Sequence, residues 1–191
     1  MLDCFVERGW LQHDFFLDEK LTIALASECT TLKNGGVFKL AGVGRGGNLS
    51  IQTKVRSDQI MWLADGQSIA CDQYLQIMEN VRLVLNRHLF LGLEEYESHF
   101  AFYEPGASYS KHLDRFRDDD HRMVSAVIYL NANWLPEQGG AIRLHPEGKD
   151  TIDISPNGGR LVLFFSADLP HEVMQSTRDR LSIAGWFRRR N

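Results

Sequence analysis

The stretch Met123-Val-Ser-Ala-Val-Ile-Tyr-Leu130 is rich in β-branched and aromatic residues and has the length of a buried β-strand. Similar runs occupy 98–103, 160–165 and 181–187, and each is bounded by Gly, Pro, Asn or Asp residues that favour turns. Strands at this spacing, without intervening helical crossovers, are typical of a sandwich or barrel. The chain from about residue 93 to 191 is therefore predicted to form a β core.

The first half of the chain shows the apolar periodicity of helices. From Asp18 to Leu32, apolar residues recur at three- and four-residue steps after a possible Asp18 cap, and Asn34-Gly-Gly36 ends the pattern. A longer apolar stripe runs from about Ser68 to Phe90. It comprises Ile69, Tyr74, Ile77, Val81, Val84, Leu85 and Leu89. We predict one domain over residues 1–191, mainly β with packing helices (α+β), with a helical part up to about residue 92.

A glycine-rich stretch between these helices, Gly42-Val-Gly-Arg-Gly-Gly47, has the spacing of the G-x-G-x-x-G dinucleotide-binding fingerprint. That fingerprint requires a helix to begin directly after it. Residues 48–55 instead alternate like a strand. The pattern therefore predicts a loop between two strands.

Composition argues against several classes of protein. A formal charge of −4 and a pI near 6.0 give no general electrostatic reason to bind nucleic acid or an anionic membrane. Cys4, Cys29 and Cys71 form no C-x-x-C pair, which favours free thiols in a reducing compartment. The first eight residues carry charges where a signal peptide is apolar, and no apolar run approaches a membrane span. We expect a cytoplasmic protein with no membrane partner.

The segment Tyr109-Ser-Lys-His112-Leu-Asp114 brings together two side chains that bind metals. On a strand, residues two apart project from the same face, so His112 and Asp114 would point at one site. Two histidines and one carboxylate form the set that binds non-haem iron(II) and leaves three positions open. Because a histidine and an aspartate at this spacing are close to chance expectation, the prediction depends on a third ligand.

Three histidines are candidates for the third ligand. His121 follows an acidic run and His145 precedes a predicted turn, so both are expected to face solvent. His171 follows the strand at 160–165 and begins a second β-like run, which is a rigid place for a ligand. We select His171, with a structural histidine as the alternative.

Arg180-Leu-Ser182 lies nine residues beyond His171 and begins the strand that ends in Trp186-Phe187. A guanidinium is always charged and its planar donors match a carboxylate, so burial there would require an anion. Together with an iron site, this favours a small dicarboxylate as ligand. The alternative is a surface ion pair.

These residues belong to a longer pattern that resembles iron(II) and 2-oxoglutarate oxygenases, in particular prolyl hydroxylases of the hypoxia-inducible-factor type. The similarity extends over roughly residues 50 to 190, as in a bacterial-like member of that family. The matching segments are Val55-Arg-Ser-Asp-Gln-Ile-x-Trp62, Tyr103-x-x-Gly106-x-x-Tyr109-x-x-His112-x-Asp114, Ile128-Tyr-Leu-Asn-x-x-Trp134, Gly139-Gly-x-Ile-Arg-Leu144, Pro146-Glu-Gly-Lys149, Arg160-Leu-x-Leu-Phe-Phe165 and His171-Glu-Val173.

The resemblance implies a double-stranded β-helix of the jelly-roll type, with iron(II) held by His112, Asp114 and His171. It further implies that 2-oxoglutarate and dioxygen are cosubstrates, that succinate and carbon dioxide are coproducts, and that ascorbate is a candidate reductant. The residues implied for 2-oxoglutarate are Arg180 and the Tyr129 hydroxyl at its distal carboxylate, with Tyr103 and Ser182 lining the site.

Two hypotheses concern the substrate side of the site. Arg56 and Asp58 match a family loop that folds over substrate, and Asp58 is predicted to close that loop by pairing with Arg122. Trp186 matches an aromatic residue at the base of the family's site and would shape the open face of the iron. A plain core tryptophan is the alternative.

The favoured function is hydroxylation of a prolyl residue in a protein, with a translation factor or ribosomal protein as the expected substrate. The first alternative is a 2-oxoglutarate oxygenase that acts on a free amino acid or another small molecule. Nucleic-acid demethylation uses the same metal site but is disfavoured by the acidic charge. The remaining alternative is a jelly-roll binding module without enzymatic activity.

Overall fold

A computed structural model of the chain describes residues 2–42, 50–115 and 121–190. Its helices are α1 (Leu2–Arg8), α2 (Glu19–Asn34) and α3 (Ile69–Leu89), and a short 3-10 helix covers Pro136–Gln138. Its strands are β1 (Trp10–His13), β2 (Lys39–Leu40), β3 (Gln59–Trp62), β4 (Glu95–Tyr103), β5 (Tyr109–His112), β6 (Arg122–Tyr129), β7 (Ile142–Leu144), β8 (Ile152–Ile154), β9 (Leu161–Phe165), β10 (His171–Val173) and β11 (Arg180–Arg188).

The strands form two antiparallel sheets. The larger sheet has the order β1-β9-β6-β11-β4-β3-β2, and the smaller has the order β5-β10-β7-β8. Strand β11 lies at the centre of the larger sheet, where it pairs with β4 on one side and β6 on the other. The mainly β class and the four strands predicted in the second half of the chain are confirmed.

The larger sheet buries both of its faces, and the alternation along β4 shows how. Phe100 and Phe102 pack with the helices in the main hydrophobic core. Ala101 and Tyr103 belong to a separate cluster with Val173 of the smaller sheet. Because successive side chains of a strand point to opposite faces, one face of this sheet supports the helices and the other forms the wall of a pocket between the sheets.

The two predicted helices are confirmed with their ends. The carboxylate of Asp18 accepts a hydrogen bond from Leu21 N at 2.8 Å at the start of α2, and Gly35 ends that helix. The Ser68 hydroxyl accepts one from Cys71 N at 3.1 Å at the start of α3, and Phe90 in a left-handed conformation ends it. Such caps satisfy amide groups that the first turn leaves free.

The apolar stripe predicted for α3 is correct only in part. Ile69 and Val84 are 82% and 46% exposed, whereas Cys71 and Met78 are fully buried. The buried set 71, 74, 78 and 85 is a narrow stripe, because α3 contacts the rest of the molecule along one side. Apolar residues beside that stripe remain in solvent.

The predicted boundary between a helical part and a β core near residue 92 is wrong. Strands β1, β2 and β3 come from the first half of the chain and extend the larger sheet at both edges. Helix α1 and strand β1 were not predicted, because each is too short to establish a periodicity. The early strands are stabilised by pairing, β1 with β9 and β3 with β4.

The predicted strand at 48–55 is also wrong in its described part, because residues 53–55 form a turn and Arg56 makes only an isolated bridge with Tyr109. The glycine-rich stretch is described only at Gly42; its other residues lie outside the described part of the chain. No helix among the described residues has the length and apolar character needed to cross a membrane. Cys4, Cys29 and Cys71 are free thiols.

Candidate active site

A cavity of about 190 Å³ opens between the two sheets, and its lining includes all of the residues that the sequence singled out for the site except Tyr129. Within the described residues, His112, Asp114 and His171 form the group that could hold a metal ion, with ligand atoms within 4.8 Å of one another. His112 and His171 are paired across β5 and β10. The prediction that His171, rather than His121 or His145, joins the first two residues agrees with this geometry.

Both imidazoles are oriented by backbone carbonyls. His112 Nδ1 lies 2.8 Å from Ser110 O, and His171 Nδ1 lies 3.2 Å from Leu169 O. A carbonyl can only accept, so Nδ1 carries the proton in each neutral ring and Nε2 keeps its lone pair. The two Nε2 atoms lie 3.4 Å and 3.7 Å from Asp114 Oδ1. Three ligand atoms therefore face one point, as non-haem iron requires.

The Asp114 carboxylate is held by a chain of two serines. Ser125 Oγ donates to Asp114 Oδ2 at 2.7 Å, and Ser166 Oγ lies 2.8 Å from Ser125 Oγ. Since the Ser125 proton points at the carboxylate, Ser166 donates to Ser125. The Arg115 amide also donates to Ser166 O at 3.2 Å. These contacts turn Oδ1 toward the histidines.

The prediction that His112 and Asp114 share a strand is wrong, because β5 ends at His112 and Asp114 lies in a bend. The two residues still converge because of the hydrogen bonds to Ser125 and Ser166. Ser125 and Ser166 are functional residues that the sequence reasoning missed. The available signal was a fully buried polar residue inside the apolar strand 123–130.

The electrostatics of the site favour neutral histidine beside an ionised carboxylate. Burial lowers the pKa of His171 to about 4, although the charge of Asp114 opposes this shift. Burial would raise the pKa of Asp114, but His171, His112 and the hydrogen bond from Ser125 outweigh burial and hold it far below its ordinary value. Neutral imidazole and ionised carboxylate are the forms that bind a metal.

At the other end of the cavity, Arg180 is 1% exposed and has no carboxylate partner among the described residues. Its Nε donates to Gly140 O at 2.8 Å, and one terminal nitrogen donates to Ser182 Oγ at 3.2 Å. The guanidinium carbon lies 4.9 Å from the centre of the Tyr103 ring and 5.0 Å from that of Tyr129. A buried, always charged guanidinium requires an anion, so this end fits a carboxylate ligand.

The Tyr129 hydroxyl supports the same conclusion. The residue is fully buried, and its hydroxyl oxygen meets no hydrogen-bond partner among the described residues by the geometric criteria of a hydrogen bond. Burial raises the pKa of Tyr129, with Arg180 opposing the shift, so the phenol keeps its proton as a donor. A buried hydroxyl without a hydrogen bond, beside a guanidinium without a carboxylate partner among the described residues, is the arrangement that one carboxylate would complete.

The substrate side differs from the prediction. Asp58 is completely buried and forms two hydrogen bonds with Arg56, at 2.7 Å and 3.0 Å, instead of pairing with Arg122. Arg122 donates to Glu97 at 2.9 Å. Asp58 and Arg56 lie two apart on one extended segment, so the nearest cation neutralises the buried carboxylate.

Aromatic rings connect the rim of the cavity with the metal ligands. The Arg56 guanidinium carbon lies 4.7 Å from the centre of the Tyr109 ring, which stacks on His112 with centroids 3.5 Å apart. Trp186 lines the cavity, and the Arg122 guanidinium carbon lies 3.5 Å from its ring centre. Trp186 thus lines the same cavity as the triad, and its role at the open face stays a prediction.

The expectation that His145 faces solvent is wrong. Its side chain is 19% exposed, and Nε2 lies 3.0 Å from the Glu172 carboxylate, on strand β10 beside His171. His121 is partly buried and has contacts. Neither residue belongs to the candidate metal group within the described residues.

Comparison with known proteins identifies the class. The family model described as the 2OG-Fe(II) oxygenase superfamily matches residues 98–188. Human prolyl hydroxylase EGLN3 is 31% identical over 199 residues, which cover 98% of this chain and 81% of the relative. Relatives in this superfamily use iron(II), 2-oxoglutarate and dioxygen, and the triad and the buried Arg180 fit those cofactors.

Solved structures narrow the class. A Pseudomonas putida prolyl-4-hydroxylase has a TM-score of 0.92 and 47% identity, covering 100% of this chain and 97% of that one. A Trichoplax adhaerens prolyl hydroxylase, solved with a hypoxia-inducible-factor oxygen degradation domain peptide fragment, has a TM-score of 0.87 and 26% identity, covering 98% and 86%. The chain belongs to the prolyl hydroxylase family of 2OG-Fe(II) oxygenases and has their double-stranded β-helix fold.

Proposed function

We propose that this enzyme hydroxylates a prolyl residue of a polypeptide, using iron(II), 2-oxoglutarate and dioxygen and releasing succinate and carbon dioxide. The observation that carries the proposal is one cavity with two ends. A two-histidine, one-carboxylate triad lies at one end, and the other end holds a buried guanidinium that has no carboxylate partner among the described residues. The similarity to prolyl hydroxylases over nearly the whole chain supports the prolyl target.

In this proposal, His112, Asp114 and His171 hold iron(II) through Nε2, Oδ1 and Nε2. Iron supplies the activation of dioxygen when it is bound. The protein's part is placement. Backbone carbonyls fix the two imidazoles, and Ser125 fixes the carboxylate. The triad is therefore preorganised, so little reorientation is needed on metal binding.

Arg180 anchors the distal carboxylate of 2-oxoglutarate with its unshared donors, and the Tyr129 hydroxyl donates to the same group. Ser182 holds the guanidinium by accepting a hydrogen bond, and Tyr103 forms one wall beside it. Because these groups are buried, a carboxylate bound among them would be shielded from bulk water, which strengthens the ion pair.

The substrate is a protein with a target proline, and we place a translation factor or ribosomal protein first among candidates. The peptide bound to the Trichoplax enzyme supports a polypeptide in the corresponding site. We further propose cytoplasmic action and ascorbate as reductant. The net charge of −4 gives no support to a nucleic-acid substrate.

The proposal is tested on dialysed host lysate incubated with enzyme, iron(II), 2-oxoglutarate and ascorbate. We expect a polypeptide to gain one oxygen at a proline, by intact-protein and peptide mass spectrometry. His112→Ala should abolish the gain, whereas His145→Ala, a nearby histidine outside the triad, should retain it. Oxidation of a free amino acid or another small molecule, with every polypeptide unchanged, would refute the proposal.

The cosubstrate assignment has its own test. Arg180→Met removes charged hydrogen bonds worth about 1.5–3 kcal/mol, so the Kd for 2-oxoglutarate should rise roughly 10- to 100-fold. Tyr129→Phe removes one neutral donor and should have a smaller effect, about 2- to 10-fold. Arg143→Met, which breaks an exposed pair with Asp153, is the matched control and should bind normally. Normal binding by Arg180→Met would contradict the assignment.

A further inference from the structure

His99 is a buried histidine that neither the iron site nor the 2-oxoglutarate site uses. It lies on β4, lines the cavity, and is 1% exposed. Neither ring nitrogen has a hydrogen-bond partner within the part of the chain that the structure describes. Buried polar groups are nearly always paired, and an unpaired one costs stability. An imidazole kept in this state indicates a partner that arrives with a ligand.

A second unpaired donor lies next to it. Trp186 is 6% exposed, and its Nε1 also has no hydrogen-bond partner in residues 2–42, 50–115 and 121–190. The centres of the His99 and Trp186 rings are 5.4 Å apart. Burial, Arg56 and Arg122 hold the pKa of His99 well below its ordinary value, so the ring is neutral. The pair thus offers two N–H donors and one nitrogen acceptor.

These groups lie at the iron end of the cavity. Trp186 is in register with Ser125, the residue that holds Asp114. Arg180 is six residues away along β11, which corresponds to roughly 20 Å of strand. Since the cosubstrate carboxylate is assigned to the Arg180 end, the end with His99 is left for the molecule that is oxidised.

The cover over His99 is an exposed aromatic residue. Trp62 is 47% exposed and meets His99 edge-on, with ring centres 5.0 Å apart. A half-exposed side chain at a sheet face can change rotamer at less cost than a packed one. Movement of Trp62 would therefore open the imidazole toward an incoming chain while Trp186 stays fixed.

We infer that His99 and Trp186 form a hydrogen-bonding subsite for a backbone carbonyl of the polypeptide substrate next to the target proline. A carbonyl oxygen has two lone pairs, which match the two N–H donors. A prolyl residue has no N–H of its own, so neighbouring carbonyls are the polar groups available to orient it. The inference rests on the proposed function and makes His99 a positioning residue.

The test compares four variants. His99→Leu removes the polar atoms at similar volume, and His99→Gln keeps a donor and an acceptor. Trp186→Phe removes the N–H but keeps an aromatic ring. Trp10→Phe is the matched control, because it makes the same exchange on β1 at the edge of the larger sheet, outside the cavity lining. Each holoenzyme is given iron(II), 2-oxoglutarate and dialysed host lysate as the polypeptide probe.

We expect His99→Leu to unfold at a higher temperature than wild type and to bind iron(II) and 2-oxoglutarate normally, by anaerobic charge-transfer absorption. It should add at least tenfold less oxygen to polypeptides per succinate formed. His99→Gln should recover part of that loss, Trp186→Phe should show a smaller loss, and Trp10→Phe should stay within twofold of wild type.

Two results would overturn the inference while the proposed function stands. One is a His99→Leu variant that adds as much oxygen to polypeptides per succinate formed as wild type does. The other is a loss of that ratio that follows weaker binding of 2-oxoglutarate. A third such result is a folded His99→Leu variant that unfolds at a lower temperature than wild type, because the imidazole would then have partners inside the protein. If His99→Leu does not fold, the inference is tested on His99→Gln and Trp186→Phe by the same ratio of oxygen added to polypeptides per succinate formed. If the wild-type enzyme oxidises no polypeptide, the proposed function fails and the subsite fails with it.

Discussion

Removal of the Ser125 hydroxyl should weaken iron binding without removing any ligand. Ser125 Oγ donates to Asp114 Oδ2 at 2.7 Å, and a hydrogen bond to a charged group contributes about 1.5–3 kcal/mol. Loss of such an outer contact typically lowers metal affinity by about 10- to 100-fold. A tenfold change in Kd corresponds to about 1.4 kcal/mol, so the energy of the hydrogen bond and the expected loss of metal affinity agree. We expect Ser125→Ala to raise the Kd for iron(II) by that factor and to regain activity at saturating iron.

The neighbouring serine provides the control. Ser166→Ala leaves the Ser125–Asp114 hydrogen bond in place, so iron affinity should change less than threefold. Ser125→Ala leaves Ser166 Oγ buried without its partner, which should lower the unfolding free energy by about 1–3 kcal/mol. The double variant removes both hydroxyls and should recover much of that stability while its iron affinity stays low.

The assay is an anaerobic titration of iron(II) followed by the charge-transfer absorption of the complex with 2-oxoglutarate, with denaturant unfolding measured on the same samples. Wild-type iron affinity in Ser125→Ala would refute the reasoning. So would equal losses of affinity in Ser125→Ala and Ser166→Ala, because the effect would then come from repacking and not from the carboxylate.

Three further predictions address other parts of the site. Gly140→Ala should lower stability by about 1–3 kcal/mol and raise the KM for 2-oxoglutarate. Gly140 has φ +70°, and an added Cβ would lie 2.9 Å from the Trp134 ring and 3.3 Å from Arg180 Cδ. Gly66→Ala, at a glycine with φ +74° and open space around it, controls for backbone strain in thermal unfolding. Asp58→Asn should cost about 3 kcal/mol in denaturant unfolding, because it leaves the partly buried Arg56 unpaired, whereas Asp153→Asn at an exposed pair should change little. Burial, Arg56 and Arg122 hold the pKa of His99 well below 6.5, although the charge of Asp114 opposes this shift. Below about pH 6.5 the unfolded chain therefore binds a proton at His99 that the folded chain does not, and the unfolding free energy should fall by up to about 1.4 kcal/mol per pH unit. His99→Leu, unfolded at pH 7 and at pH 5, should lack this contribution.

Sequence patterns predicted those helices and strands whose own residues contain a helix cap or an apolar periodicity. Asp18 and Ser68 cap the two long helices, and the strand at 123–130 reads as apolar along its whole length. Helix α1 and strand β1 have seven and four residues. Their conformations depend on neighbours more than 100 positions away, such as Phe164 for Trp10, and no local pattern contains that information.

In the candidate site too, some residues could be identified from their local sequence and others only from distant partners. His171 was separated from His145 by its strand context, and Arg180 by the cost of burying a guanidinium. The choice of Arg122 as partner of Asp58 failed because sequence does not say which of two arginines a buried carboxylate meets. Ser125 and His99 were missed for a related reason. A polar residue in an apolar strand acquires a role only from what faces it, and those partners, Asp114 and Trp186, lie on other segments.

The central position of β11 has a consequence for how the enzyme gains and loses its metal. Arg180 begins β11, which is paired on both sides along most of its length. His112 ends the four-residue strand β5 at the edge of the smaller sheet, where the pairing of β5 with β10 is irregular. Amide hydrogen exchange should therefore be slowest in β11 and faster in β5, since opening free energies follow pairing and burial. Local opening at the edge would release iron while the dicarboxylate pocket stays folded. The empty enzyme would then keep a formed pocket for 2-oxoglutarate and reload metal without refolding its core.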